Sequence, residues 1–409
     1  MSYREYDPSK DAESTCRILR EAGWLKEGSE EAYKRVLAGS RTLVAEMDGE
    51  AECVVASSRG TMRYANEDLP FAAITDVLTS RVARKQGHAS RLTAMAAALD
   101  AADGVLVSGL GMFDQGYYDR LGYGLGSYDR RTVLDPAALT VPGAKRAPRR
   151  LTTDDWQLIH ESRVARHRGH GSCVLTEATT RFEMENTGGG FGLGYCDGPD
   201  GALSHHAWFG VLGDVMHGPY SVRWMAFQTE EQLRELLGVI RNLGDQVHAV
   251  RIADPPGVQL QVLMDKPFRY MRLSDKSRFE TKCNAWAWCQ LRICDLPGCL
   301  ERTRLLGDEV KFNLKLADPI GKYLPDDAPW RGIEGDYVVT LGPSSHAESG
   351  EDNSLPTLIA SVNSFTRLWL GVCPASCLAV TDDLSAPREL LEKLDWLIRL
   401  PTPLPDWDY

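Results

Sequence analysis

At 409 residues the chain is too long for one ordinary domain, and a net charge of −11, from 46 basic and 57 acidic side chains, argues against nucleic acid or anionic lipid as its main partner. A hydrophobic fraction of 43% with 25% charged residues excludes wholesale disorder. No apolar run approaches the ~18 residues that a membrane helix needs.

In chain order, the polar stretch Met1 to Asp7 has no apolar core of a signal peptide, and the ten cysteines are scattered along the chain rather than packed into a short secreted frame, so a reducing cytoplasm is the default expectation. Helical spacing follows at Glu13–Ala22 and Ser29–Leu37. Two apolar runs around Asp48-Gly49 read as a hairpin, because that dipeptide tolerates the positive φ angles of a tight turn. A further strand covers Ala72–Thr79, a helix Ala89–Ala102 and a buried strand Val105–Leu110. Pro136, Pro142 and Pro148, set among basic residues, mark a linker. A second mixed α/β unit then opens with a helix at Asp154–Arg166. It has strands at Ala207–Val211 and Val222–Ala226, a helix at Thr229–Leu243 and a strand at His248–Ile252. A third unit starts near Leu291, with strands at Phe312–Leu316 and Tyr337–Leu341 and helices at Ser361–Leu370 and Pro387–Ile398. The tail Pro401–Tyr409 holds three prolines and two aromatics, a stiff segment that should dock.

The segment most suggestive of chemistry is Val77-Leu78-Thr79-Ser80-Arg81-Val82-Ala83-Arg84-Lys85-Gln86-Gly87-His88-Ala89-Ser90. A strand ends, a basic turn follows, and a long helix begins at a glycine that lets another group come close. Free N–H groups and the positive end of the helix dipole suit a pyrophosphate there. After the next strand comes Gln115-Gly116-Tyr117-Tyr118-Asp119-Arg120-Leu121-Gly122-Tyr123-Gly124.

This second segment resembles the Tyr-x-Arg-x-Gly-Tyr element of GNAT acetyltransferases, and Arg84–Ala89 resembles their coenzyme A loop. With Trp288–Pro297, Leu368-Trp369-Leu370-Gly371, Leu394-Asp395-Trp396-Leu397 and the aromatic C-terminus, the whole chain resembles the enhanced intracellular survival (Eis) family. The resemblance implies a mixed α/β (α+β) fold. A catalytic GNAT domain would span 1–140, a degenerate GNAT-like domain 147–290 and a sterol-carrier-protein-like domain 291–409. It implies acetyl-CoA as co-substrate, no metal, an amine acceptor (aminoglycoside-, polyamine- or lysine-like) and a homohexamer. Carried over, Tyr118 takes the place of the general acid and the α-carboxylate of Tyr409 that of the general base. Val77, Leu78 and Thr79 would hold the pantetheine arm, and Arg84, Lys85, Gln86, Gly87, His88, Ala89 and Ser90 the pyrophosphate. Phe113 and Asp114 fall at the thioester end. Acidic residues such as Asp406 and Asp408 would help hold a cationic acceptor. Phe113 stands where a small polar residue is common, and Arg81 where proline is usual.

Two other functions fit the same residues: transfer of a longer acyl chain, or an apolar-ligand-binding protein with a vestigial GNAT site. His167, His170 and Cys173 have metal-like types but sit among arginines, and a solvated loop is expected. His205 and His206 should face opposite sides of a strand. The run Gly188–Gly194 lacks phosphate-loop spacing and reads as a flexible hairpin.

Overall fold

A computed structural model describes residues 2–25 and 28–409. Strand β1 (Ser2–Glu5) leads into α1 (Pro8–Ala22), α2 (Glu30–Gly39) and the strands β2 (Arg41–Met47), β3 (Glu50–Tyr64) and β4 (Glu67–Thr79). Helix α3 (His88–Ala102) connects to β5 (Val107–Gly111) and the short β6 (Gly124–Leu125). Next come β7 (Asp129–Leu134), β8 (Arg149–Leu151), α4 (Trp156–Val164), β9 (Cys173–Val174) and α5 (Glu177–Asn186). Strands β10 (Phe191–Tyr195), β11 (His205–Asp214) and β12 (Gly218–Ala226) precede α6 (Glu230–Asn242), β13 (Val250–Ala253), α7 (Pro267–Ser274) and β14 (Lys282–Trp286). The remainder holds β15 (Cys289–Ile293), α8 (Leu296–Glu301), β16 (Val310–Ala317), β17 (Gly335–Leu341), β18 (His346–Ser349) and β19 (Thr357–Ser361). It ends with α9 (Val362–Trp369), α10 (Ala375–Thr381), β20 (Leu384–Ser385) and α11 (Arg388–Leu397).

Local chemistry explains the main boundaries. Asp7 accepts from the Ser9 amide at 2.9 Å, and Pro8 needs no amide partner at the start of α1. Gly23, with φ of 76°, stops that helix. Asp48 and Gly49 both have positive φ (51° and 91°), which turns β2 into β3 as the dipeptide predicts.

The chain forms two compact units. The first comprises residues up to Ser127, His170–Thr176 and Ala287–Tyr409; the second comprises Tyr128–Gly169 and Glu177–Trp286. The chain therefore passes between the units at 127/128, 169/170, 176/177 and 286/287. The reason is strand pairing. β7 joins the second unit's sheet, and β15 lies between β5 and β6 in the first.

The first unit has two sheets. One runs β1-β2-β3-β4-β5-β15-β6 with β9 on β3, and the other β18-β17-β16-β19-β20. Side chains alternate across the larger sheet. Leu43, Ala45, Val55 and Ile74 meet Leu92, Ala96 and Ala97 of α3 on one face. Met62, Phe71, Ala73 and Leu291 belong to another core that reaches Phe312, Phe365 and Leu394. The second unit is built on β14-β7-β13-β12-β11-β10-β8. The second half of its glycine-rich run, from Phe191 on, forms strand β10, paired on both edges. A Cβ at Gly192 would stand 2.9 Å from the Trp208 ring, and one at Gly194 2.7 Å from His206 Cβ. The alternating glycines make room for large neighbours, and a flexible hairpin is not what the run forms.

Candidate acyl-transfer site

β4 and β5 pair in parallel from Phe71↔Val107 to Ile74↔Leu110 and then part. β4 continues to Thr79 along β3, and β5 continues along β15. The arms thus form a fork. A bulge in β4 lies just beyond its base, where Asp76 takes a φ of 50°. Val77, Leu78 and Thr79 occupy the β4 arm, with an edge that β5 does not cover. Backbone N–H and C=O groups on such an edge can pair with an extended chain.

Past the fork, residues 81–87 turn back into α3. Lys85 (φ 62°) and Gly87 (φ 86°) are both left-handed, which directs successive amides into one concavity. Among the described residues, no side chain caps α3 and nothing lies within 4 Å of where a Gly87 Cβ would stand. Arg84, Lys85 and Gln86 are exposed. A helix start that no described side chain caps, with two exposed basic residues before it, suits a pyrophosphate. His88 is held by Tyr3 at 2.9 Å and by Gln86 at 3.3 Å, so its ring braces the loop. Burial pushes its pKa down, with Arg91 adding to the effect.

The loop is joined to the second motif. Ser90 in the first turn of α3 shares a hydrogen bond of 3.0 Å with the Tyr117 hydroxyl, and Tyr117 meets Tyr118 edge-to-face at 4.8 Å. Tyr118 is buried, and burial raises its phenol pKa well above the ordinary value. Its hydroxyl bonds to no described residue. The backbone around it is fastened from below. Gln290 donates to Asp119 at 2.5 Å, Arg292 to the Leu121 carbonyl at 2.5 Å, and Asn363 to the Asp119 and Tyr123 carbonyls at 2.8 and 3.0 Å. Arg292 is itself buried against Asp318 at 2.6 Å. Gly122 (φ 82°) cannot be larger, because a Cβ would stand 2.6 Å from Val362 and 2.7 Å from Arg292.

The tail docks, as its composition predicts. Leu404 donates to the His170 carbonyl at 2.9 Å, and Asp406 accepts from Ser172 Oγ at 2.7 Å and from the Cys173 amide at 3.1 Å. Asp406 therefore serves as a fastening for the tail. The Tyr409 ring lies 5.7 Å from Phe71 and 5.3 Å from Trp288, with its hydroxyl buried and unpaired. A main-chain oxygen of Tyr409 stands 2.6 Å from where a Gly111 Cβ would be, so the carboxyl end sits directly over β5. Phe113 and Asp114 lie two and three residues further, both exposed, in the turn before Tyr117.

The sequence reading missed Asp76, Gly111, Phe71 and Trp288. Glycines at alternate positions 109 and 111 of a strand were the available signal, since they permit close approach from one face. A Cβ at Gly109 would stand 2.8 Å from the Phe71 ring and 3.0 Å from Leu291, so that glycine makes room for these side chains, while Gly111 makes room for the tail.

His170, His205 and His206 are held by structural hydrogen bonds. His170 accepts from the Ala65 amide at 3.0 Å through Nδ1, so its Nε2 donates to the Leu370 carbonyl at 2.9 Å. It is no part of a solvated loop. His205 and His206 do point apart, to Glu235 and Trp224 respectively. Among the described residues, Asp197, His205 and Glu235 bring potential ligand atoms within 4.8 Å of one another. The Arg146 guanidinium binds both carboxylates and supplies the positive charge there.

Residues 4–126 match the family model described as an acetyltransferase (GNAT) domain, so the chain carries a GNAT domain. The whole chain is similar to solved structures at low identity. A conserved protein from Enterococcus faecalis V583, described as a probable N-acyltransferase, shares 15% identity, with a TM-score of 0.79 over 100% of this chain and 99% of that one. A GCN5-related N-acetyltransferase from Kribbella flavida shares 17% (TM-score 0.76; 100% and 98% covered). Eis1 from Mycobacterium abscessus shares 15% (TM-score 0.75; 100% of both chains). The fold of the whole chain is thus shared with these proteins. No curated protein matches the chain. Among the described residues, no helix is long and apolar enough to cross a membrane.

Proposed function

We propose that the chain is an acetyl-CoA-dependent N-acetyltransferase acting directly on a primary amine. The observation that carries this reading is the pairing of an open β4/β5 fork with an uncapped, basic start of α3. Amides of residues 85–90 and the Arg84 and Lys85 side chains hold the pyrophosphate, while Val77, Leu78 and Thr79 pair with the pantetheine arm. Bound acetyl-CoA supplies the activated acyl group as a thioester. The Tyr409 α-carboxylate accepts the proton of the attacking amine. Tyr118 gives its own to the departing thiolate, and burial keeps that phenol protonated until the thiolate leaves. Phe113 and Asp114 line the mouth of the fork.

The same reading keeps three functional parts, 1–140, 147–290 and 291–409, of which the last is carrier-like, and takes the protein to be cytoplasmic and hexameric. Light scattering checks the assembly. Free-thiol release from acetyl-CoA against aminoglycosides, polyamines and lysine peptides tests the activity. Release with no acceptor in that panel would overturn the reading. Stabilisation by long-chain acyl-CoA in place of acetyl-CoA would shift it to a longer acyl donor.

A further inference from the structure

The buried carboxylates of the first unit hold arginines. Asp11 is paired with Arg4 at 2.6 Å, Glu52 with Arg17 at 3.0 Å, Asp100 with Arg41 at 2.7 Å and Asp318 with Arg292 at 2.6 Å. In each pair a guanidinium offsets the lost hydration of the acid. Asp76 differs. Burial raises its pKa, yet its side-chain partners are two hydroxyls: Tyr33 donates to one carboxylate oxygen, and Thr75 to the other at 3.1 Å. Among the described residues, no cation forms an ion pair with it.

Its position gives this vacancy of charge a use. Asp76 stands two residues past Ile74, the last residue of β4 to pair with β5. The residue after Leu110 on the other arm is Gly111, over which the Tyr409 carboxyl lies. One arm of the fork therefore carries an acid without a counter-ion, and the other carries the proposed proton acceptor. Asp76 is only half-buried as a residue.

We propose that Asp76 anchors a second, protonated nitrogen of the acceptor, so that the preferred substrate class is a diamine or polyamine rather than a monoamine. This rests on the acyl-transfer reading. The reacting nitrogen must be a free amine: it forms the new C–N bond as the thioester C–S bond breaks, its surplus proton passes to the Tyr409 carboxylate, and the thiolate takes a proton from Tyr118. The anchoring ammonium is unchanged throughout, and takes the place that arginine takes beside Asp11, Glu52, Asp100 and Asp318.

The test compares 1,5-diaminopentane with n-pentylamine, which have the same carbon chain and differ in the second nitrogen. We expect kcat/KM for the diamine to exceed that for the monoamine by about tenfold or more, carried mainly by KM. Asp76→Asn keeps the size and a partner for Tyr33 but removes the charge, and should reduce this ratio to the statistical advantage of two reactive ends. In the unaltered protein the ratio should also fall as the pH is lowered. The groups facing the carboxyl are the Tyr33 phenol and the Thr75 hydroxyl, neither of which gains a charge on acidification. Burial makes Asp76 take up its proton above the usual range, while the ammonium keeps its charge. A wild-type ratio no better than statistical, or one that survives Asp76→Asn or acidification, overturns the anchor. Failure to acetylate either amine, or any other amine, would overturn the acyl-transfer reading itself.

Discussion

Both units contain a parallel strand–helix–strand step, and only one of them is open to a phosphate. In the first unit β4, α3 and β5 make the step; in the second β12, α6 and β13 do, pairing Tyr220↔Val250 and Ser221↔Arg251. α3 begins at Gly87 without a capping side chain or an acid in its first turn, behind Arg84 and Lys85. α6 begins at Thr229, whose hydroxyl accepts from the Gln232 amide at 3.4 Å, and its first turn carries Glu230 and Glu231. The Gln228 amide is satisfied too, by the Gln232 side chain at 2.7 Å. One helix start offers donors and positive charge to a ligand. The other satisfies its donors internally and repels anions. Topology is shared, so what distinguishes the two steps is a handful of residues around the start of one helix.

The comparison can be broken at its chemical end first. Tyr118→Phe removes a hydroxyl that bonds to no described residue while keeping the ring against Tyr117 and Tyr123. Turnover should fall by roughly 10²–10⁴-fold, the usual contribution of a general acid. Acetyl-CoA affinity, measured by calorimetry, should move little. Wild-type turnover in this variant would remove Tyr118 from the mechanism.

Giving α3 the acidic approach of α6 sharpens the contrast. The double substitution Arg84→Glu and Lys85→Glu changes two exposed residues, so the fold should persist. Acetyl-CoA affinity should drop by about 100-fold, with the loss shrinking as salt is added. The matching reversal in the second unit, Glu230→Lys with Glu231→Lys, should leave acetyl-CoA binding where it was. A strong effect of the second pair would mean that both steps take part.

A smaller effect is expected at β5. Gly111→Ala places a methyl group where the Tyr409 carboxyl lies, 2.6 Å from its oxygen, and the tail must lift. Turnover should fall by roughly thirtyfold at unchanged acetyl-CoA affinity. Steady-state kinetics with full-length and Tyr409-deleted proteins separate two causes. If deletion is harmless, the carboxylate is no base; if deletion is harmful and Gly111→Ala is not, the tail tolerates displacement.

Much of this was legible in the sequence, for identifiable reasons. The Asp48-Gly49 turn, the α3 helix and the Arg84–Ser90 loop are local features, set by residues within one turn of each other, and local patterns report them. The docked tail was also readable, because Pro401, Pro403 and Pro405 stiffen it. What escaped is long-range. That β15 would enter the first sheet depends on pairing Cys289 with Gly111, residues far apart in the chain, and no periodicity records it. Asp76 sits in an apolar run where a charged residue hints at a bulge, but its lack of a cation shows only once Tyr33 and Thr75 are placed around it. His170 was assigned to a solvated loop because its neighbours Arg166 and Arg168 are basic; the fold buries it between Ala65 and Leu370.

The second unit has its own signature, and it concerns stability. His206 is fully buried: Trp224 Nε1–H donates to its Nε2 at 3.0 Å, which leaves the proton on Nδ1, facing Ser162 Oγ at 3.0 Å. Burial, with Arg163, Arg166 and His205 adding repulsion, pushes its pKa down to about 3. An unfolded chain would hold this histidine near the ordinary 6.5. Between those values the unfolded state binds a proton that the folded state refuses, so stability is full above pH 6.5 and is lost as the pH falls toward 3. Lowering the pH from 7 to 5.5 should cost about 1.3 kcal/mol through this residue alone. His160 and His205 are shifted in the same direction, chiefly by burial, and add to the slope. Replacing His206 with glutamine offers Trp224 an acceptor that does not titrate in this range, and should flatten the pH dependence of unfolding by one proton. An unchanged slope in denaturant titrations at pH 7 and 5.5 would show that the site admits the imidazolium. The second unit would then be less acid-sensitive than its buried histidine requires.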